Sequence, residues 1–193
     1  MSRSETVIRD ITSLITTFSV PFNRFAPFGY RNFVAVGNRA TVVRLQDARI
    51  LLLNPVPLEA SILARLHELG GVHFIAADLG HHLSVADYTN VWPNAKTIGV
   101  PGLEGKRKDI KWDFICGDWW KGGPEDEFGF AQDIETVLFE GFITYGVAWY
   151  HKPSKTLIQS DLLMNLPCTE VWSVEASIHS AVIDNGHPAR YNG

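Results

Sequence analysis

The sequence predicts a layered α/β fold in which helices pack on a sheet. Between residues 49 and 100, apolar segments typical of strands alternate with two helix-like segments in the order strand–helix–strand–helix–strand, which favours neighbouring strands connected by helices. Residues 49–53 are apolar on both faces, as expected for a central strand. A short turn separates them from residues 41–45, which indicates a hairpin.

The N-terminal part adds further strand candidates. Residues 6–12 partly alternate between polar and apolar side chains, and residues 14–20 are rich in β-branched residues. Pro21 lacks the backbone N–H that a central strand needs, so we expect it to end this strand. Residues 22–29 are aromatic and irregular, which is typical of a loop that crosses a surface.

Two helices are predicted between the strands. Pro57 suits the first turn of the first helix, and Gly70 and Gly71 supply a left-handed end. Ser84 is a candidate cap for the second helix, which ends before Pro93. The apolar stripe of the first helix has helical spacing and consists of Ile62, Leu63, Leu66 and Leu69.

The second half of the chain begins with a change of composition. Residues 117–129 are rich in glycine, proline and acidic residues, as in a long exposed loop. Residues 135–139, 143–151 and 156–160 are three further strand candidates, and a turn at residues 152–155 joins the last two into a hairpin.

Composition limits the function classes. With 193 residues, 46% of them hydrophobic, the chain can bury one substantial core. We therefore expect a single domain over residues 1–193, with a divergent tail at 171–193. A formal net charge of -4 argues against nucleic-acid binding.

We find no secretory signal and no apolar run long enough for a membrane span, so we expect a cytoplasmic protein in which Cys116 and Cys168 are reduced.

The strongest local signal for chemistry is the segment 78–82, directly after an apolar strand. Polar catalytic groups converge on such loops in α/β proteins, so Asp78, His81 and His82 are candidates for metal ligands or a proton relay. The alternative is a helix-capping aspartate beside two partly exposed histidines. Asp161, at the end of a later strand, could bridge metals, orient a histidine or cap a helix.

The other reactive residue types favour structural roles. Cys116 has apolar neighbours, which indicates a thiol packed in the core rather than a nucleophile. His67 and His73 lie in a predicted helix and a predicted strand, so we expect structural or solvent-facing side chains. His151 precedes a hairpin turn, so we expect it to be exposed.

Aromatic side chains are candidates for substrate contacts. Trp119 and Trp120 lie in the glycine-rich loop and could close over an apolar ligand, with Phe25 from the aromatic N-terminal loop as a further candidate. The alternative for the two tryptophans is simple surface packing.

Five segments of the sequence share a family pattern. They are AADLGHHL at 76–83, WPNAKTIG at 92–99, GLEGKR at 102–107, KPSKTLI at 152–158 and DLLMNLP at 161–167. With the N-terminal strands they resemble a fungal family of uncharacterised proteins related to the metallo-β-lactamase superfamily. The resemblance covers roughly residues 6 to 170.

The resemblance implies an α/β (α+β) fold, namely a metallo-β-lactamase-like αββα sandwich with its site at one edge between two sheets. Superfamily members hold one or two metal ions with histidines and aspartates from both halves. His81, His82 and, more loosely, Asp78 match the first ligand cluster, and Asp161 matches the strand-end aspartate. If a metal is bound, the resemblance implies zinc or another divalent ion with His81, His82 and Asp161 as its ligands.

The sequence departs from the superfamily pattern at several of the positions that hold the metal ions. The motif His-x-His-x-Asp-His is absent, because Leu79 and Gly80 stand where further ligands are expected. Residues 140–146 contain no histidine for the middle ligand position. The surroundings of His179 and His187 do not match the last ligand motif, so we expect a sandwich truncated at the C-terminus.

Three hypotheses for function follow. The main one is an enzyme of fungal-type specialised metabolism that uses His/Asp acid–base chemistry for elimination, isomerisation or cyclisation of a small apolar or aromatic molecule in an aromatic-lined cleft. The first alternative is a metal-dependent hydrolase of the metallo-β-lactamase type. The second is a non-enzymatic binding or interaction module. A shortened sandwich exposes a sheet edge or an apolar face, so we also expect a homodimer.

Overall fold

The chain folds into two β-sheets with helices against the larger one. The computed structural model describes residues 6–22, 36–117, 129–163 and 183–184. In chain order the elements are β1 (Val7–Thr12), β2 (Ile15–Phe22), β3 (Val36–Arg44), β4 (Ile50–Leu53), α1 (Ala60–Glu68), β5 (Phe74–Ala76), α2 (Val85–Val91), β6 (Lys96–Gly99), α3 (Leu103–Lys106), β7 (Phe114–Ile115), β8 (Ile134–Phe139), β9 (Gly146–His151), β10 (Thr156–Ile158) and β11 (Ile183–Asp184).

The larger sheet contains seven strands in the order β1-β2-β3-β4-β5-β6-β7. Strands β1 to β4 are antiparallel neighbours, whereas β4, β5, β6 and β7 pair in parallel. Helix α1 connects β4 to β5, and α2 connects β5 to β6. The predicted strand–helix–strand–helix–strand succession is therefore confirmed, and β4 lies at the centre of the sheet as its two apolar faces indicated.

Alternation along the central strands divides the core into two layers. Leu51 and Leu53 of β4 face a cluster that also contains side chains of the smaller sheet, such as Trp149. Ile50 and Leu52 face the opposite side, where they join a cluster with helix residues. Because successive strand residues point to opposite faces, one apolar run supplies both the sheet–sheet core and the helix–sheet core.

Helix α1 ends as its sequence predicts but begins later. Gly70 and Gly71 have φ angles of +109° and +86°. Their N–H groups donate to the carbonyl oxygens of His67 at 3.1 Å and Leu66 at 2.8 Å, which is the Schellman arrangement. The helix begins at Ala60 after an extended Glu59 rather than at Pro57.

Two predictions about single residues in the larger sheet and its second helix are wrong. Strand β2 continues through Pro21 to Phe22, with Pro21 opposite Gly37 of β3. On its other side, the pairing of β2 with β1 reaches only Ser19, so no described β1 residue requires an N–H from position 21. Ser84 precedes α2 as predicted, but its side chain makes no capping hydrogen bond.

The smaller sheet contains four strands in the order β11-β10-β9-β8. The predicted strand at 143–151 begins only at Gly146, because a turn precedes it in which Tyr145 adopts a φ angle of +51°. The predicted hairpin is confirmed: β9 and β10 pair in antiparallel fashion around residues 152–155.

The two sheets and the helices form the mixed α/β sandwich that the sequence predicts. Within the described residues, no helix is long and apolar enough to cross a bilayer.

Candidate active site at the junction of the two sheets

Three chain segments meet where β5 of the larger sheet ends. The loop after β5 carries Asp78, His81 and His82. The turn between β8 and β9 contributes Thr144, whose carbonyl oxygen accepts a hydrogen bond from the Leu79 N–H at 3.1 Å. The residues after β10 bring in Ser160 and Asp161. The site therefore lies between the two sheets, because each sheet supplies loops at this edge.

Asp78 is the buried centre of this loop, with 2% of its surface exposed. Its Oδ1 accepts hydrogen bonds from the backbone N–H groups of Gly80 at 2.8 Å and His81 at 2.9 Å. The same oxygen lies 2.8 Å from His81 Nδ1. The aspartate thus binds the backbone of its own loop and the histidine ring, and it does not cap helix α2, which begins only at Val85. The two roles are compatible because the loop folds back on one carboxylate oxygen.

The imidazole of His81 lies between two carboxylates. Its Nδ1 binds Asp78, and its Nε2 lies 3.8 Å from Oδ1 of Asp161. Burial alone would lower the pKa of His81, but the hydrogen bond to Asp78 and the negative charges of Asp78 and Asp161 raise it above its usual value. The site therefore favours the charged imidazolium more than water does.

The two carboxylates differ in environment. Burial raises the pKa of Asp78, yet its hydrogen bonds from His81, Ser160 and Gly80 outweigh burial and leave that pKa below the usual value. Asp161 is 41% exposed. Its partial burial and the nearby charge of Asp78 raise its pKa, although His81 opposes this shift. One carboxylate is therefore firmly ionised and internal, whereas the other is more basic and reachable from solvent.

His82 points to a different neighbour. Its Nδ1 lies 3.3 Å from Nη1 of Arg107, just after α3, and the same guanidinium donates to the carbonyl oxygens of His82 and Leu83. Burial, together with the positive charges of Lys106 and Arg107, lowers the pKa of His82. The adjacent histidines of the loop therefore have opposite electrostatic surroundings.

The described residues do not fit a tightly held metal ion. Among them, no three His, Cys, Asp or Glu side chains are grouped so that they could hold one. Two donors converge, His81 Nε2 and Asp161 Oδ1, while both oxygens of Asp78 accept hydrogen bonds from protein groups. His82 faces a permanent cation instead. Protein zinc sites use three or four convergent ligands.

Several predicted site residues lie outside the described residues. These are the candidate substrate contacts Trp119, Trp120 and Phe25, and also Cys168, His179 and His187. Cys116 is a buried core thiol, as predicted: it is 1% exposed, and burial raises its pKa to about 12. A thiol with that pKa is not a nucleophile at neutral pH.

The prediction of an exposed His151 is wrong. The side chain is fully buried, and its Nδ1 lies 2.6 Å from Oγ of Ser154 in the hairpin turn. Its Nε2 is buried with no hydrogen-bond partner, and so is Oδ1 of Asp133. The residue lies at the end of β9, where the smaller sheet packs on the larger one, and that burial depends on the packing of the two sheets.

Sequence reasoning gave no role to two residues that organise the site. Ser160 binds Asp78 across the sheet junction. The only feature of the sequence that could have identified Ser160 was its position next to Asp161 at a strand end. Arg107 closes on His82, and it belongs to the family-like segment GLEGKR at 102–107. Neither contact follows from local pattern, because each partner lies more than twenty residues away in sequence.

Solved structures provide a comparison for this architecture. The metallo-β-lactamase DIM-1, exposed to ceftazidime, matches 86% of this chain and 74% of its own length, with 12% identity and a TM-score of 0.60. A diflavin flavoprotein fragment from Nostoc sp. PCC 7120 matches 78% of this chain and 64% of its own, with 8% identity and a TM-score of 0.52. VMB-1 matches 79% of this chain and 68% of its own, with 7% identity and a TM-score of 0.51.

The comparisons bear on the fold and not on the reaction. No protein-family model matches the sequence, and no curated protein matches it. Structural likeness at such low identity shows the fold and does not establish a substrate or an activity. Within that limit the comparison agrees with the two-sheet architecture, and the chain has the metallo-β-lactamase fold.

Proposed function

We propose that this chain is an enzyme that moves protons on a small molecule at the Asp78–His81–Asp161 cluster, with His81 as the acid–base group. One observation carries the proposal: the imidazole is held between two carboxylates, 2.8 Å from Asp78 at Nδ1 and 3.8 Å from Asp161 at Nε2. Such an arrangement fixes the ring and leaves one nitrogen directed at the exposed carboxylate.

Each member of the cluster has a distinct task. Asp78 accepts a hydrogen bond from Nδ1–H of His81, which orients the ring and stabilises its charged form. His81 Nε2 is then the atom that donates a proton to the substrate or takes one from it. Asp161 is partly exposed and more basic than usual, so it suits a second proton-transfer step beside His81. Elimination, isomerisation and cyclisation all need a proton removed at one atom and returned at another.

A metal-dependent hydrolase is the second candidate, and the likeness to a metallo-β-lactamase favours it over acid–base chemistry. His81 Nε2 and Asp161 Oδ1 are the two described donors that such an ion would contact. They are fewer than a catalytic zinc site requires, so further donors would have to come from outside the described residues. The described geometry alone does not support this candidate, and the metal measurements below test it.

The finer parts of the proposal concern the substrate and the setting. We infer a small apolar or aromatic substrate, because the chain has candidate aromatic contacts in Trp119, Trp120 and Phe25. A place in fungal-type specialised metabolism, a cytoplasmic location and a homodimer belong to the same proposal and follow from the sequence arguments alone. A binding module without activity is the remaining alternative.

The proposal is tested with protein purified without a histidine tag. Metal content is measured first, and turnover of a panel of small aromatic esters, lactams and enolisable ketones is then measured with and without a chelator. We expect turnover that resists the chelator and falls at least about a hundredfold in His81→Gln, as for loss of a general acid–base group. His67→Gln, at an exposed position in α1, is the matched control and should leave turnover unchanged.

Other outcomes assign the protein differently. Turnover that disappears with the chelator and returns with zinc would move the assignment to the metal-dependent hydrolase. Full turnover in His81→Gln would refute the role of His81. Binding of panel compounds without any turnover would favour the binding module.

A further inference from the structure

Five contacts fix the guanidinium of Arg107, three of them to the histidine loop and two to Asp109. Its Nη1 donates to the carbonyl oxygen of His82 at 2.5 Å and to that of Leu83 at 3.2 Å, and it lies 3.3 Å from His82 Nδ1. Its Nε and Nη2 bind the two carboxylate oxygens of Asp109 at 2.8 and 2.6 Å. The side chain is only 14% exposed, so it occupies a defined place rather than a solvated one.

This contact determines what His82 Nδ1 can do. A guanidinium has N–H donors and no acceptor, and it stays protonated in proteins. An N–H at Nδ1 would point at this donor group, so the contact favours an unprotonated Nδ1 and a ring proton on Nε2. In the neutral form of His81 the assignment is reversed, because Nδ1 faces a carboxylate and carries the proton. In their neutral forms the two adjacent histidines therefore carry the ring proton on opposite nitrogens.

The same contact opposes a metal ion on His82. An ion on Nδ1 would have to displace the guanidinium from its backbone and Asp109 contacts. An ion on Nε2 would replace the ring proton. It would then lie only the width of the imidazole ring away from the positive charge of Arg107, and like charges repel each other at that separation even in water. The negative charge of Asp109 is already bound to the far side of the guanidinium.

We propose that Arg107 takes the place of a cation at His82: it holds the imidazole as the Nε2–H tautomer and keeps divalent metal ions off this histidine. Arg107 is a positioning residue here, since it acts through His82. The inference deepens the proposed function, because it concerns the same loop and rests on the same site. It also separates the two histidines, with His81 as the proton-transfer group and His82 as a fixed neutral neighbour.

The test reads the His82 ring and zinc binding, so it does not depend on turnover. Long-range nitrogen–proton NMR spectra of the full, untagged chain, recorded at a pH where both rings are neutral, should show His82 protonated at Nε2 and His81 at Nδ1. Zinc titration by calorimetry then compares the parent protein with Arg107→Met. We expect zinc affinity to rise at least about tenfold in Arg107→Met, because a unit charge beside the site has been removed.

Two further variants test whether the rise in zinc affinity comes from binding to His82. The double variant Arg107→Met/His82→Ala should lose it, because the new ligand is His82. Lys111→Met removes an exposed positive charge that binds Asp113 instead of the histidine loop, so it should change zinc affinity much less. If Arg107→Met does not fold, the tautomer measured in the parent protein decides the question. An Nδ1–H tautomer of His82, an equal gain in Lys111→Met, or a gain that survives His82→Ala would overturn the proposal.

Discussion

Ser160 Oγ donates a 2.8 Å hydrogen bond to Oδ2 of Asp78, although the two residues are 82 positions apart. Ser160 follows β10 of the smaller sheet, and Asp78 follows β5 of the larger one. Their side chains are 6% and 2% exposed. The bond therefore ties the two sheets together at the site and holds the carboxylate that orients His81.

Replacing Ser160 with Ala should destabilise the protein by about 1–3 kcal/mol. The substitution removes a partner from a buried carboxylate oxygen, and an unsatisfied buried acceptor costs about that much. Urea denaturation of the variant and the parent protein measures the difference. Ser61→Ala, on the exposed surface of α1, is the matched control and should change the free energy of unfolding by less than about 0.5 kcal/mol. Equal effects of the two substitutions would contradict the role of Ser160.

Gly80→Ala should lower stability by about 1 kcal/mol and disturb the His81 loop. A Cβ at Gly80 would lie 3.1 Å from Thr144 Cγ2 and 3.3 Å from Asp78 Oδ1, and crowding of this kind is destabilising. At Gly105 of α3, nothing lies within 4 Å of an added Cβ. Gly105→Ala should therefore be neutral or stabilising. Thermal unfolding of both variants checks the contrast, and a Gly80→Ala protein as stable as Gly105→Ala would rule it out.

The electrostatic setting of His81 predicts a loss of stability at alkaline pH. Because the folded-state pKa of His81 lies above its usual value, its contribution is fully present below about pH 6.5 and is lost as the pH rises through the folded-state pKa. Asp161→Asn removes a charge that raises this pKa, so the NMR titration midpoint of His81 should fall. The free energy of unfolding should then depend less on pH above 6.5. An unchanged midpoint would show that Asp161 does not act on His81.

His151 predicts the opposite dependence on the acid side. Burial lowers its pKa, although Asp133 partly opposes this. The unfolded chain then binds a proton more readily than the folded one, so stability should fall as the pH drops below about 6.5. His151→Asn keeps a polar group near Ser154 and should reduce this loss between pH 7 and 5. Ser61→Ala, at an exposed position of α1, removes no group that titrates in this range and should leave the pH dependence as in the parent, and identical curves for all three proteins would contradict the prediction.

Local pattern was sufficient for the central part of the fold. The apolar residues of β4 alternate between the two core layers, and the glycines after α1 end the helix through their own backbone freedom. The loop after β5 was also identifiable as a site, because polar residues directly follow an apolar strand. Each of these features depends on residues within a few positions of one another.

Local pattern failed wherever the outcome depends on a distant neighbour. Pro21 continues β2 because β1 makes no pair beside it, and His151 is buried because the two sheets pack at that point. The candidate ligands His81, His82 and Asp161 were grouped by sequence, but the structure places His81 beside Asp161 and His82 beside Arg107. Sequence spacing alone does not decide which way neighbouring side chains point in a loop.

The sequence by itself determined the strand–helix order, the central position of β4 and the location of a reactive loop at 78–82. It did so because side-chain periodicity and glycine conformation act over short distances. Only the tertiary structure decided which groups that loop meets. The Ser160 bond to Asp78, the Asp161 carboxylate beside His81 and the Arg107 guanidinium on His82 all come from segments that reach the loop when the two sheets and α3 pack together.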